Sequence, residues 1–397
     1  MGRRTTVILW EPTKATTPWS RRRESSGGSK VNLRIPGPTP CPPEILTAVG
    51  KQMINHRGPE MAAMIKRVTE RLQTFLDTRN DVLLVSASGT GGLEAAVVNT
   101  LSPRDRVLGI DIGAFGDRFC TIAETYGADV RRLAFEWGTA ASPEKVREAL
   151  GEESEVRAVL VTHNETSTGV TNPLAEICEV IRSESDALIL VDGISSAGSI
   201  PLPVDEWGID VLVSGSQKGW AVPPGLAIVA VSPRAWQASE RATMPRFYFD
   251  LDAHRKAAEN GQTPWTPTLS VIYGLDVTLE RMLNEGKEAI FARHARIGAR
   301  TRQRVKSLGL KLFADERFAS NTVTSVSVPE GVDGKELTRT LREDYDTVLG
   351  GGQRSLAGRI FRLGHLGWVS EGDLDRAIDA VAAALPKLGY AIPQERT

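Results

Sequence analysis

The chain has 397 residues, of which 41% are hydrophobic and 24% are charged, and its formal net charge is -1 at pH 7. This length favours one large domain with a smaller companion. The balanced charge excludes the strong positive field that nucleic acid or an anionic membrane would need. No run approaches the roughly 18 apolar residues that cross a bilayer, so we expect small-molecule partners, no nucleic acid and no membrane.

A basic extension over residues 1–31 opens the chain. Its first thirty residues contain seven Lys or Arg and two Glu, among many Ser and Thr. This composition is typical of disordered tails and is shared by organelle transit peptides; we expect a tail, with the transit peptide as the alternative. The three cysteines are odd in number and far apart, which favours a reducing cytoplasm. The five histidines contain no i, i+4 pair, so we expect no metal site.

Strand-like and helix-like segments alternate through the middle of the chain. Helical spacing occurs in segments such as GGLEAAVVNTL and LAEICEVIRSES. Seven apolar runs predict strands: DVLLVSAS, DRVLGIDIG, ADVRRLAF, VRAVLVTHNE, ALILVDGIS, IDVLVSGS and LAIVAVS. This alternation is typical of βαβ units, and continuous apolar runs indicate strands buried on both faces. The sequence therefore predicts an α/β fold with a mostly parallel seven-stranded sheet flanked by helices.

The pattern changes after about residue 270. One long helical stretch over 271–309 leads to two strand-like runs, TVTSVSVPE and RIFRLGH, and to a final amphipathic helix. We predict a large domain over 32–282, with an N-terminal arm over 32–50, and a smaller C-terminal α+β domain over 283–397. Six cations on the long helix have no aromatic residues interleaved, so we expect a solvated face rather than a nucleic-acid site: Arg293, Arg296, Arg300, Arg302, Arg304 and Lys306.

Two motifs follow predicted strand ends, where an open parallel sheet binds its ligands. Residues 88–92, Ser-Gly-Thr-Gly-Gly, join a strand to a helix, and such a turn favours a phosphate, although a tight turn without a ligand has the same pattern. A dinucleotide fingerprint would need glycine where Glu94 stands, so we do not expect a nicotinamide dehydrogenase. Asp192 ends the run ALILVD, where a carboxylate can pair with a cationic ring nitrogen or cap a helix.

Two cations complete the pattern. Lys218 lies in a polar, glycine-rich segment, where desolvation would lower its pKa and make it an amine nucleophile; an exposed turn lysine is the alternative. Arg362 lies in an otherwise apolar strand, where its guanidinium suits a substrate carboxylate or an internal salt bridge. A phosphate, a ring nitrogen that needs an anion, an aldehyde that needs an amine and a carboxylate that needs an arginine together describe pyridoxal 5'-phosphate with an amino acid.

Eight segments between about residues 32 and 388 match one family: PGPTPCPPEI, NHRGPEM, SASGTGGLEAAVVN, GAFGDRF, THNETSTGV, VDGISSAGSIPLPVDEWGIDVLVSGSQKGWAVPPG, TPWTPTLSVIYGL and IFRLGHLG. In these segments the chain resembles the class V aminotransferases of the fold type I pyridoxal-phosphate enzymes. Within that family it is most similar to the alanine-glyoxylate, serine-glyoxylate and serine-pyruvate group.

The resemblance implies a role for each matching residue. Lys218 would form the internal aldimine with the cofactor, and Asp192 would pair with the pyridine nitrogen. Arg362 would hold the substrate carboxylate, and Gly37 would line the substrate pocket. The remaining cofactor contacts would be made as follows: Ser88, Gly89, Thr90 and Gln217 at the phosphate, Phe115 stacked on the ring, and Thr166 at the ring hydroxyl.

Thr266, in TPWTPT, matches a residue that reaches the phosphate of the neighbouring subunit, so the resemblance implies a homodimer with shared active sites. Two positions depart from the family pattern. Phe115 stands where tryptophan is frequent, which should preserve stacking. Thr90 stands where some relatives have histidine, which changes the phosphate contacts.

The implied reaction is ping-pong transamination of a small amino acid, alanine or serine, with glyoxylate or pyruvate as the amino acceptor. Class V transaminases that act on ureidoglycine, aspartate or 2-aminoethylphosphonate are alternatives. A class V lyase of the desulfurase type needs a nucleophilic cysteine in the small domain, and none follows Cys178. A nonenzymatic protein that kept this fold would be expected to lose Lys218 or Asp192, and both are present.

Overall fold

A computed structural model describes residues 31–393 of the chain. The predicted basic extension lies outside the described residues except for residue 31. Within residues 31–393, thirteen strands form three sheets. In chain order the strands are β1 Asn32–Arg34, β2 Asp81–Val85, β3 Arg106–Asp111, β4 Asp129–Ala134, β5 Ala158–Thr162, β6 Asn164–Glu165, β7 Val170–Thr171, β8 Leu188–Asp192, β9 Val211–Gly215, β10 Ala227–Val231, β11 Val323–Ser327, β12 Thr347–Gly351 and β13 Ile360–Gly364.

Twelve α-helices surround these sheets in the described part of the chain. They are α1 Pro43–Val49, α2 Pro59–Phe75, α3 Gly89–Thr100, α4 Ala114–Thr125, α5 Pro143–Gly151, α6 Leu174–Glu184, α7 Pro233–Ser239, α8 Leu251–Ala258, α9 Leu269–Glu285, α10 Lys287–Ser307, α11 Gly334–Tyr345 and α12 Glu371–Lys387. Among these helices, none combines the length and the apolar character that a membrane crossing needs.

The large sheet has seven strands in the order β2-β10-β9-β8-β5-β3-β4. Only β10 runs antiparallel to its two neighbours, β2 and β9. Every residue of β5, β8, β9 and β10 is buried, because helices cover both faces of the sheet. In β8, for example, Leu190 packs into one hydrophobic cluster and Ile189 and Val191 pack into the other. All seven predicted strands lie in this sheet, so the predicted fold class is confirmed.

The second sheet has four strands in the order β1-β12-β13-β11. It packs against α10, α11 and α12 around a third hydrophobic cluster. Strand β1, from the predicted N-terminal arm, pairs in parallel with β12 of this sheet. The domain boundary that we placed after residue 282 stays a prediction.

The prediction of one long helical stretch over 271–309 is wrong in one respect. The stretch is two helices, α9 and α10, separated by Gly286 with φ +86. This left-handed backbone conformation is open to glycine at little cost, and it ends α9 although the helical spacing continues beyond it. Several cations of α10 pair with acidic residues of α12: Arg296 with Glu371, Arg300 with Asp375, and Arg304 with Asp375 and Asp379.

Candidate active site

A cavity opens at the carboxyl edge of the large sheet. The strands β2, β3, β8 and β9 all end at this edge, so the residues that follow them converge there. Eight of the eleven residues predicted for the site line this one cavity: Ser88, Gly89, Thr90, Phe115, Thr166, Asp192, Gln217 and Lys218. Gly37, Arg362 and Thr266 do not line it.

Lys218 follows β9 and extends its amine toward the N-terminal arm. Its Nζ donates a hydrogen bond to the backbone oxygen of Pro36 at 2.6 Å. Burial lowers the pKa of Lys218 to about 8, and the nearby carboxylate of Asp192 opposes this shift. A lysine with a pKa this close to neutrality carries a substantial fraction of free amine, which is the nucleophilic and basic form.

Gly37 lies directly against this lysine. A Cβ placed on Gly37 would come within 2.6 Å of Lys218 Nζ, and the residue has φ +123. The backbone angle favours glycine at this position, and a larger residue would also displace the Lys218 amine. This close approach brings the arm to the amine, and the predicted place of Gly37 in a substrate pocket stays a prediction.

Asp192 is the last residue of β8, and its side chain is almost fully buried. Its Oδ1 accepts a hydrogen bond from the backbone N–H of Ile194 at 2.9 Å. Burial raises the pKa of Asp192 to about 7, and the charge of Glu165 adds to this shift. A buried carboxylate with one oxygen left for a partner is suited to a cationic N–H group, because such a group would restore its charged form.

The start of α3 has backbone N–H groups without an intrahelical partner. Ser88 is the N-cap residue, but its side chain caps no N–H group of the helix. The first bond of the helix runs from Gly92 N–H to the Ser88 oxygen, so the N–H groups of residues 89–91 precede the intrahelical ladder. Gln217 Oε1, beside them, is buried without a hydrogen-bond partner in the described part of the chain. The free N–H donors and the helix dipole suit a phosphate. The amide N–H group of Gln217 would be its donor to such a phosphate, whereas its Oε1 is an acceptor and needs a donor of its own.

Arg362, on β13, reaches from the small sheet toward the same edge. The residue is buried, and its guanidinium donates to Gly351 O and to Thr166 O, each at 2.9 Å. Within residues 31–393 its partners are these backbone carbonyls and not a carboxylate, so the internal salt bridge that we considered is not formed. Burial lowers the pKa of Arg362 to about 10. A buried cation paired only with neutral groups is electrostatically suited to an incoming carboxylate.

Thr266 is exposed and lies outside the cavity of its own chain. Its neighbour Trp265 stacks on two further aromatic side chains, Phe247 at 4.9 Å and Tyr248 at 6.1 Å between ring centroids. Phe247 is 76% exposed and Tyr248 is 43% exposed. The role that we predicted for Thr266, in a neighbouring subunit, stays a prediction.

Sequence reasoning missed Glu165, which is fully buried beside the cavity. One carboxylate oxygen accepts from the N–H groups of Phe115 and Gly116, at 3.0 and 3.1 Å, and the other accepts from the N–H and the hydroxyl of Ser167. Glu165 thereby holds the first turn of α4, which carries Phe115. Its place in the motif THNETSTGV was the available signal, but its partner helix begins 51 residues earlier in the chain.

Sequence reasoning also missed Asn164 and Arg118, which line the cavity. Asn164, on β6, makes four side-chain hydrogen bonds, two of them to residues just before β11: Nδ2 donates to Ser195 and Thr322, and Oδ1 accepts from Thr171 and Ser320. Arg118 lies one helical turn after Phe115 on α4.

Comparison with known proteins identifies the family of this chain. The model of the class V aminotransferases matches residues 31–370. An α/β sheet with an amine, a carboxylate and an anion cradle at its carboxyl edge is the architecture expected of that family. The chain belongs to the class V aminotransferases, and the predicted family and enzyme class are confirmed.

Several individual proteins are similar over most of their length. The L-aspartate–glyoxylate aminotransferase of Paracoccus denitrificans is 40% identical over 92% of this chain and 93% of its own. The serine–glyoxylate aminotransferase of Methylorubrum extorquens is 38% identical over 91% and 92%. A protein named soluble hydrogenase, small subunit, from Synechococcus is 43% identical over 91% and 94%. The crystal structure of an alanine–glyoxylate aminotransferase from Nostoc superposes with a TM-score of 0.86 at 31% identity, covering 91% and 97%.

Proposed function

We propose that this protein binds pyridoxal 5'-phosphate and transfers the amino group of a small amino acid, alanine or serine, to glyoxylate or pyruvate. One observation carries the proposal: Lys218, Asp192 and the free N-terminus of α3 surround a single cavity. These groups supply an amine, a buried anion and hydrogen-bond donors for a phosphate, which are the three partners that this cofactor needs. The family to which the chain belongs uses the same cofactor chemistry.

The residues fit the cofactor at both of its ends. Ser88, Thr90 and the first N–H groups of α3 would hold the phosphate, with Gln217 beside them. Asp192 would hold a proton on the ring nitrogen, and the pairing would return the buried carboxyl group to its charged form. Phe115 would cover one face of the ring, and Thr166 would contact the ring hydroxyl. When bound, pyridoxal phosphate supplies an aldehyde that combines with amines and a ring that accepts electrons from the substrate α-carbon.

Lys218 would move the substrate proton. Its pKa of about 8 leaves part of the amine free to take the proton from the α-carbon, and the protonated form can return it as an acid. Positioned acid–base groups of this kind contribute rate factors of about 100 to 10,000. Pro36 O, which accepts from the amine at 2.6 Å, would orient the amine whenever it is not bonded to the cofactor.

Arg362 would bind the substrate carboxylate, because its guanidinium is buried and paired only with backbone oxygens. The names of the relatives from Methylorubrum and Nostoc support serine or alanine as the donor and glyoxylate as the acceptor. Aspartate is the second candidate donor, because the Paracoccus relative bears the name of an L-aspartate–glyoxylate aminotransferase. The cavity offers an amine, a carboxylate and hydrogen-bond donors for a phosphate. This set of groups agrees with the transaminase names of these relatives rather than with the hydrogenase name.

We also propose that two copies of the chain form a dimer with shared sites. Thr266 would reach the phosphate of the neighbouring subunit, and the exposed aromatic cluster of Phe247, Tyr248 and Trp265 would be covered by that subunit. The free state of Cys41, Cys120 and Cys178 agrees with the proposed cytoplasmic location.

A donor screen tests the proposed function. The holoenzyme is mixed with single amino acids, and the cofactor absorbance is followed as its aldehyde form is converted into its amine form. We expect alanine and serine to cause rapid conversion and glyoxylate to reverse it. If aspartate alone causes the conversion, the proposed amino donor is wrong and the proposed cofactor is right. A protein that binds no pyridoxal phosphate would refute the whole proposal.

A further inference from the structure

Arg118 is a cavity-lining cation that the roles assigned above leave unused. Its guanidinium carbon lies 4.8 Å from the centroid of the Phe115 ring, and its Nη1 donates to Thr90 Oγ1 at 3.4 Å. The preceding carboxylate, Asp117, pairs instead with Arg132 and Arg354. Among residues 31–393 no ion pair to Arg118 is formed, so most of its N–H groups remain available on the cavity side.

The phosphate cradle needs a positive charge that its own residues do not carry. A phosphate monoester bears a charge of about -1.5 to -2 near neutral pH, whereas the start of α3 offers neutral donors and a dipole worth about half a charge. Lys218 and Arg118 are the two cationic residues that line the cavity in the described part of the chain. Lys218 is assigned to the amine chemistry, and its Nζ is held by Pro36 O.

Arg118 reaches the cradle through Thr90, a residue that also belongs to it. The planar guanidinium presents N–H groups in a fork that matches two phosphate oxygens. The contact of the guanidinium with the Phe115 ring, at 4.8 Å from the ring centroid, restricts the orientation of the side chain, which lowers the entropy lost on binding an anion. One turn of α4 thus carries both the ring-covering residue and a cation for the phosphate.

We propose that Arg118 binds the phosphate of the cofactor from the α4 side and supplies the positive charge of that site. This inference rests on the proposed function. It also connects Glu165 to the phosphate, because the carboxylate that holds the first turn of α4 positions Phe115 and Arg118 together. The competing assignment gives Arg118 to the distal carboxylate of a dicarboxylic donor.

The test compares two aldehydes that differ only in the phosphate. Holoenzyme reconstituted with pyridoxal phosphate, or with pyridoxal, is dialysed to equilibrium, and the dissociation constant of each aldehyde is measured for wild type, Arg118→Gln and Arg118→Lys. Arg255→Gln is the matched control, because Arg255 stacks on Trp236 at 4.3 Å but lies outside the cavity.

We expect Arg118→Gln to raise the dissociation constant of pyridoxal phosphate about 10- to 100-fold, which is the range for the loss of a hydrogen bond to a charged group. Pyridoxal should be unaffected, Arg118→Lys should recover most of the loss, and Arg255→Gln should change neither constant. The phosphorus-31 resonance of the holoenzyme should titrate at a higher pH in Arg118→Gln, because the positive charge that favours the dianion is gone.

Three results would overturn the inference. Equal losses for both aldehydes would make Arg118 a structural residue. Unchanged pyridoxal phosphate binding would remove it from the phosphate site, and a raised KM for aspartate alone would assign it to the donor. Failure of the wild-type protein to bind either aldehyde would refute the proposed function itself, which is a distinct outcome.

Discussion

Replacing Arg362 with alanine removes the buried cation that we assign to the substrate carboxylate. Removing one partner of a buried, hydrogen-bonded charge pair costs about 2 to 5 kcal/mol, which corresponds to a loss in substrate affinity of about 30-fold to several thousand-fold. The loss of affinity should lie in the upper part of this range, because Arg362 is only 6% exposed. No carboxylate among the described residues pairs with Arg362 in place of the substrate carboxylate.

The same substitution has a structural cost that must be separated from the binding effect. It leaves Gly351 O and Thr166 O without their donor, and a typical hydrogen bond contributes about 1 kcal/mol to stability. We therefore expect the free energy of unfolding to fall by about 2 kcal/mol. Arg302→Ala is the matched control, because Arg302 donates to Ser320 O and Asn321 Oδ1 outside the cavity.

Steady-state kinetics with the amino donor and the oxo-acid acceptor measure the effect. We expect Arg362→Ala to raise both KM values and to leave the affinity for pyridoxal phosphate close to that of wild type. The KM values of Arg362→Lys should lie between those of wild type and Arg362→Ala, because lysine keeps the positive charge but lacks the planar guanidinium group that binds a carboxylate through two N–H groups. If KM stays unchanged in Arg362→Ala while Arg302→Ala behaves like wild type, Arg362 does not bind the carboxylate.

Three further expectations follow from the same structure. Glu165→Gln turns an amide N–H group toward donors that now bond to a carboxylate, so it should lower the free energy of unfolding measured in urea by about 2 to 4 kcal/mol and speed the release of the cofactor. The control Glu124→Gln, an exposed change on α4, should lower it by less than about 1 kcal/mol. Equal effects of the two substitutions would contradict the role of Glu165. Burial lowers the pKa of Lys218 in the folded protein from 10.5 to about 8, so between these two pH values the unfolded chain binds more protons than the folded chain. The free energy of unfolding of the cofactor-free protein should therefore rise from about pH 8 to 10.5, by about 3 kcal/mol at most, relative to that of Lys218→Met. Parallel pH profiles of stability for the two proteins would show that the amine is not buried. Phe247→Glu puts a charge into the exposed aromatic cluster and should convert a dimer into monomers in sedimentation velocity, with weaker cofactor binding; a monomeric wild-type protein would exclude shared sites.

Six of the seven strands of the large sheet are largely buried on both faces, and such a strand has a continuous apolar run, such as residues 187–191, that can be recognised without knowledge of its neighbours. The edge strand β4 is only partly buried. The positions of Asp192 and Lys218 followed from the same reasoning, because residues after parallel strands meet at one edge. The break at Gly286 was missed, because the helical spacing of apolar residues continues across it. Strand β12 was missed as well, since its glycines give no alternating pattern.

Glu165 and Arg118 show why part of the site escaped prediction. A charged residue in a sequence looks the same whether it is solvated or buried, and only the fold brings Glu165 to the start of α4. Arg118 is spaced one turn from Phe115, but a cation on a helix is more often on a solvated face. Their roles depend on the relative placement of elements that lie far apart in the chain.

We propose that the amine of Lys218 combines with the aldehyde of pyridoxal phosphate. Borohydride reduction of the holoenzyme, followed by peptide mass spectrometry, shows which lysine carries the cofactor. We predict one reduced cofactor per chain, attached to the peptide that contains Lys218, and no label in Lys218→Ala. A label on another lysine, or a wild-type protein that takes up no label after incubation with the cofactor, would contradict the account.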